Sequence, residues 1–140
     1  MNAMRLEKGY RGWGSEYTTE RTPLEAGMGM FVQTTGRKFI GRQALVARDN
    51  AQAWSMELLE LEDTGEDPYY MHTVYSSDVP VGIITSGGYG HRIGKPLALA
   101  YFSTDPAGQS IQAEILGRRV GASILEEIPY DPRNERMRSG

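Results

Sequence analysis

Side chains able to do covalent or metal chemistry are few in this chain. It has no cysteine, which removes disulfides, thiolate metal sites, iron–sulfur ligation and a thiol nucleophile together. Its two histidines, His72 and His91, stand nineteen residues apart without a helical partner. That spacing supports no metal set, and each reads first as a surface or loop histidine. His91, beside Tyr89 and Arg92, is the more interesting of the two. No base, nucleophile and orienting group can be assembled around it, so no catalytic residue is assigned. The stretch Gly88-Tyr89-Gly90-His91-Arg92-Ile93-Gly94-Lys95 has the look of a phosphate loop. Such a loop needs glycine where Tyr89 stands and a hydroxyl where Pro96 stands, so it fails. Gly9-x-x-Gly12-x-Gly14 runs in the reverse order of a dinucleotide fingerprint and follows no expected strand.

The elements that must carry these residues change character along the chain. The glycines of residues 9–14, with Tyr10 and Trp13 among them, describe a loop whose backbone comes close to something. Thr22-Pro23-Leu24-Glu25 predicts a helix start, with Thr22 as cap, Pro23 first inside and Glu25 reaching back. Gly27 and Gly29 keep that helix short, and residues 30–33 suggest a brief strand. After a turn at residues 35–38, residues 39–48 read as a short helix with basic outer positions, ended by Asp49-Asn50.

From residue 51 the period becomes alternating. Strands are expected at 53–62, with Trp54, Met56 and Leu58 on one face, then at 71–75, 80–86 and 97–102. An acidic turn spans residues 63–68, and Gly87-Gly88-Tyr89-Gly90 is read as a loop. Residues 109–116 and 118–125 form a hairpin about Gly117. Six short strands at this spacing indicate an antiparallel barrel or sandwich.

Composition agrees. The 140 residues fit one ordinary domain, with 39% apolar and 24% charged residues and a heavy load of 17 glycines and 7 prolines. That load favours a turn-rich, strand-containing fold over a helix bundle. No apolar run is long enough for a membrane helix, and no signal-peptide core opens the chain. A soluble, cytoplasmic protein is the expectation. Net charge is −3: residues 1–50 hold eight Lys/Arg against five Asp/Glu, and residues 51–100 hold two against seven. Nucleic acid is not expected as a partner. A local basic zone for a small anionic ligand stays open.

Several segments together resemble one family: residues 4–14 (MRLEKGYRGWG), 22–27 (TPLEAG), 39–45 (FIGRQAL), 85–90 (TSGGYG) and 95–101 (KPLALAY). They are similar to the C-terminal part of the glycine cleavage T-protein (aminomethyltransferase) superfamily, with residues 8–13 closest to the folate-binding region of dimethylglycine and sarcosine dehydrogenases. The resemblance covers nearly the whole chain, in order. It implies a mainly β fold with short helices: a six-stranded antiparallel barrel over residues 48–132, preceded by residues 1–47 as a helical segment closing a folate-binding domain, and a tail at 133–140.

It also implies tetrahydrofolate as the cofactor, bound weakly or not at all by this chain alone, and transfer of a one-carbon unit to it from an aminomethyl or iminium donor. The glutamate matching Glu7 binds the pterin ring in the family. A pterin offers a ring N–H beside an exocyclic amine, and a carboxylate accepts from both. Without the resemblance, Glu7 reads as an exposed helix-surface residue. Tyr10 and Trp13 face the folate rings or pack between domains. Arg37 and Lys38 lie near the folate's glutamate tail or in a solvated turn. Tyr89 approaches the cleft or packs a turn. Arg133, Arg136 and Arg138 contact carboxylates or, on the plainer reading, belong to an unordered end. The family's catalytic aspartate region and any flavin domain find no counterpart in the chain. The resemblance leaves two functions: the C-terminal portion of a folate-dependent one-carbon transfer enzyme, or a non-catalytic module docking on a separate folate or flavin subunit. A role in transfer-RNA modification or cluster assembly ranks last, because its cysteine motif is missing.

Overall fold

A computed structural model describes residues 2–49 and 54–139. Its centre is a closed antiparallel barrel of six strands: β1 (Ser55–Leu61), β2 (Thr73–Ser76), β3 (Val79–Gly90), β4 (Lys95–Phe102), β5 (Ile111–Ile115) and β6 (Arg118–Ile124). Around the barrel the order is β1-β4-β3-β2-β5-β6, and β6 pairs back onto β1. Closure leaves no open sheet edge. Among the described residues, no helix is long and apolar enough to cross a membrane.

Period-two alternation sorts the side chains. Leu59 and Leu61 of β1, Ala98, Ala100 and Phe102 of β4, with Val74, Ile84 and Val120, fill the barrel. The other faces of β1 and β4 are apolar as well. Met56, Leu58, Leu97, Leu99 and Tyr101 form a second cluster outside the barrel, with Leu6 from the N-terminal segment and partly buried Trp54, Ile93 and Leu125. A strand covered on both faces reads as a continuous apolar run, which is why Pro96-Leu97-Ala98-Leu99-Ala100-Tyr101-Phe102 has no polar break.

The N-terminal segment opens with helix α1 (Asn2–Glu7), which runs up to the expected glycine loop and buries Glu7 where an exposed helix-surface residue was the plain reading. Gly9 is part of how it ends. At φ +62° it lets the Tyr10 N–H reach the Arg5 carbonyl (2.8 Å) and its own N–H reach that of Leu6 (2.9 Å), a Schellman stop. At residues 22–25 the reciprocal capping bonds form: the Thr22 N–H donates to Glu25 Oε2 (2.7 Å), and the Glu25 N–H donates to Thr22 Oγ1 (3.1 Å). They close a single turn without a helix beyond it, since Gly27 turns left-handed at φ +69° with the Arg11 guanidinium packed against it. Residues 30–33 are not a strand. Gly29–Phe31 is a 3-10 turn closed by the Phe31 and Val32 amides. The predicted helix over 39–48 is α2 (Arg42–Asp49), its first residues forming a turn.

The expected glycine loop at 87–90 is the end of β3. A Cβ on Gly87 would lie 2.3 Å from the Pro68 carbonyl oxygen, so glycine here lets two backbones touch within regular structure. The other barrel strands fall within a few residues of expectation, and the hairpin turns through Leu116 and Gly117, both at positive φ. Ala53, placed in the first expected strand, lies outside the described residues.

Candidate functional site

Glu7, the last residue of α1, is buried at 3% exposure. Its Oε1 accepts the backbone N–H of Arg92, in the β3–β4 turn, at 2.6 Å. Its backbone carbonyl accepts the Tyr130 N–H at 3.1 Å. Three chain regions therefore meet at this residue, the end of α1 and the β3–β4 turn at its carboxylate and the C-terminal segment at its backbone carbonyl. A carboxylate has about four lone-pair sites, and the Arg92 amide uses one. The group is an acceptor held in place by backbone, which suits recognition of a planar edge bearing adjacent N–H donors.

Lys8 fastens the C-terminal segment. Its Nζ donates to the Asp131 carbonyl (2.6 Å) and Asn134 Oδ1 (2.7 Å), with Asp131 Oδ2 at 3.4 Å. Asp131 and Asn134 both hold positive φ, and Asp131 Oδ1 accepts the Glu135 N–H at the start of α3 (Glu135–Arg138). Tyr130 carries the Arg92 guanidinium 5.1 Å from its ring centroid and that of Arg136 at 5.6 Å. The tail is thus packed on the site, Arg136 Nη1 also donating to the Tyr130 hydroxyl (3.2 Å).

The other residues singled out in the sequence are placed differently. Tyr10 is about half exposed and Trp13 is 83% exposed, both in the loop after α1. Arg37 and Lys38 are exposed in the turn before α2. Tyr89 lies between Gly88 and Gly90, whose missing Cβ positions face Leu6 and Glu7 respectively. By strand alternation its ring takes the opposite face, beside Pro96, Tyr69 and the acidic turn, with His91 at 5.3 Å. Glu7 is thus brought together with Arg92 and Tyr130, and not with Tyr89. His72 Nδ1 accepts the Tyr69 N–H (3.1 Å). Among the described residues, no group of three or more His, Cys, Asp or Glu is arranged for a metal ion.

Sequence reasoning missed the most connected side chain of the segment, Glu16, which is fully buried. Its Oε2 accepts from the Gly12 N–H (2.6 Å), Ser15 Oγ (2.8 Å) and Arg5 Nη1 (3.0 Å). Its Oε1 accepts from Thr85 Oγ1 (2.8 Å) and Ser86 Oγ (2.6 Å), and its carbonyl accepts from the Tyr101 hydroxyl (2.8 Å). Burial alone pushes the carboxyl upward, but the donors Ser86, Gly12, Thr85 and Ser15 outweigh it and hold Glu16 below its ordinary 4.5. Nothing in a Gly-Ser-Glu string distinguishes this glutamate from a loop carboxylate.

A closed six-stranded antiparallel barrel with a short helical segment docked on its outer face defines a class of β-barrel domain. Within that class the chain belongs to the glycine cleavage T-protein C-terminal barrel domain family, whose model matches residues 56–131, more than half of the sequence. It is 36% identical over 132 residues to dimethylglycine dehydrogenase, mitochondrial, of Rattus norvegicus, covering 91% of this chain and 15% of that protein. It is 34% identical over 131 residues to an aminomethyltransferase of Thermus thermophilus, covering 94% of this chain and 36% of the relative. The chain therefore spans a minor part of the length of these relatives. In fold it superposes on the glycine cleavage system aminomethyltransferase T from Bartonella henselae with a TM-score of 0.83 at 20% identity, over 94% of this chain and 38% of that one.

Proposed function

We propose that this chain is the C-terminal portion of a tetrahydrofolate-dependent one-carbon transfer enzyme of glycine, sarcosine or dimethylglycine catabolism. On this reading residues 1–47 close a folate-binding domain, residues 48–132 are the barrel and residues 133–140 are a tail. Glu7 carries the proposal. A buried carboxylate held by the Arg92 amide at the meeting of three chain regions is a fixed acceptor, suited to the paired N–H groups of a pterin edge. Tetrahydrofolate, when bound, accepts the one-carbon unit; the residues of this chain bind and orient it. Tyr10 and Trp13, with exposed rings, offer surface for stacking, and Arg37 offers charge to the folate's carboxylate tail. Tyr89, on the far face of β3, is left with a peripheral contact.

Calorimetric titration of the chain with 5-formyltetrahydrofolate tests this. Saturable binding that weakens at least tenfold in Glu7→Gln is expected, because the amide presents a donor where two acceptors are needed. Binding that survives Glu7→Gln unchanged overturns the assignment.

A second reading is favoured by a separate observation. Met30, Phe31 and Ile40 are 85%, 73% and 102% exposed, an apolar surface of the kind that meets another domain or subunit. There the chain is a non-catalytic module completing a folate or flavin subunit. Light scattering after size exclusion discriminates: a folded, strictly monomeric chain that joins no such subunit counts against docking.

A further inference from the structure

The carboxylate of Glu16 and the kink in β3 form one device. In a regular strand, neighbouring side chains point to opposite faces. β3 slips its register against β4 between Ile84 and Ser86: Ile84 pairs with Ala100 and Ser86 with Leu99, leaving Thr85 as the extra residue. Such a bulge re-aims side chains. Here it turns two consecutive hydroxyls, those of Thr85 and Ser86, onto the same oxygen of Glu16, at 2.8 and 2.6 Å. The other oxygen holds the Gly12 amide, the Ser15 hydroxyl and Arg5. Arg5 in turn donates to Asn2 Oδ1 (2.8 Å) and the Tyr10 carbonyl (3.0 Å), which spans both ends of α1.

From this geometry we infer that Glu16 is a positioning residue for the Glu7 site: it sets the register of α1 along β3 and so aims the Glu7 carboxylate. The inference rests on the reading of Glu7 as the ligand-holding group. Leu6 also ties α1 to the barrel, but apolar contact is non-directional and lets a short helix slide or roll. Directional bonds remove that freedom. The Asn2 amide on the Gly87 carbonyl (3.1 Å) marks the start of α1, and Glu16 through Arg5 grips its length. Glu7, two residues beyond Arg5, is then delivered to the Arg92 amide within hydrogen-bond distance. A neutral amide at position 16 turns a donor toward a site that already supplies only donors.

The Arg92 amide reports the placement of Glu7 directly. Amide hydrogen exchange is measured on the full 140-residue chain and on Glu16→Gln and Ser86→Ala, with core amides of β1 and β4 as internal reference; Glu7→Ala marks the exchange of an unheld Arg92 amide. The expected result is Arg92 exchange accelerated at least fivefold more than the core amides in Glu16→Gln and at least twofold more in Ser86→Ala, with Glu16→Asp partly restoring protection. Unchanged Arg92 exchange in both variants overturns the inference. So does equal acceleration at Arg92 and in the core, because Glu16 then serves global stability alone. A parallel titration with 5-formyltetrahydrofolate separates the two claims. Wild-type binding that Glu7→Gln abolishes and Glu16→Gln leaves intact overturns the positioning role; no loss on Glu7→Gln removes the ligand reading, while the exchange result still decides whether Glu16 aims Glu7.

Discussion

Residues 2–26 and 27–48 are consecutive stretches of the same segment, yet they fold under different terms. The first buries Leu6, Glu7, Lys8, Glu16, Glu25 and Ala26 against the barrel or within its own turns. None of residues 27–48 reaches a buried state, although Met30, Phe31, Phe39, Ile40 and Val46 are large and apolar. The difference is not hydrophobicity. The first stretch has a partner surface, the outer faces of β1 and β4, together with polar pins that fix its register. The second is tied to the first at α2 by Arg48, which donates to the Glu20 carbonyl (3.2 Å) and sits 3.7 Å from Glu25. Burial needs a complementary surface, and among the described residues only one of these stretches has one.

The contrast between the two stretches is sharpest at Glu16. Replacing it by alanine strands the buried Ser86 hydroxyl, leaves the partly exposed Arg5 guanidinium without its carboxylate and opens a cavity, and is expected to destabilise the chain by about 3–4 kcal/mol in chemical denaturation. Leu6→Ala, at a fully buried site, is expected to cost about 3 kcal/mol. The matched truncation in the open stretch, Ile40→Ala, should stay within about 0.5 kcal/mol. A large loss at Ile40 would mean that residues 27–48 are covered in solution.

Acidity sharpens the same contrast. Because Glu16 is held below 4.5 when folded, its contribution is present above that pH and is lost as pH falls through the folded value. The thermal midpoint of the wild type should therefore drop on acidification below about pH 5, more steeply than that of Glu16→Gln. Tyr101 works with the opposite sign at the other end: burial, opposed by Arg21, raises it to about 12, so stability should fall as pH climbs from 10 toward 12. The smallest effect concerns the tail. Lys8→Met removes the donor that fastens Asp131 and Asn134, and should speed proteolytic cleavage around residues 130–138 with the barrel left intact.

Legibility in the sequence divides along the same line. Most barrel strands announce themselves through alternation, β4 through an unbroken apolar run, and Gly117 through its hairpin, because those are local signals. The capping pair Thr22 and Glu25 is legible too, although the helix expected beyond it does not form, since a cap fixes where a helix can begin and not how far it runs. Gly87 to Gly90 reads as a loop because glycine serves turns and close backbone approach equally, and Pro68, the neighbour it makes room for, is nineteen residues away. Glu7 is singled out by family resemblance alone, and its burial against Arg92 lies beyond reach of the sequence, as does the Glu16 pin to a bulge 69 residues on. Polar networks closed over such separations leave no periodic trace.

On the proposed reading the buried stretch, through Glu7, holds the ligand's ring, and the open one adds only the charge of Arg37 at its tail. A single set of binding isotherms with 5-formyltetrahydrofolate decides it, comparing Glu7→Gln with Arg37→Ala. The expected result is a loss of at least tenfold for Glu7→Gln and no more than threefold for Arg37→Ala. A loss confined to Arg37→Ala would contradict it.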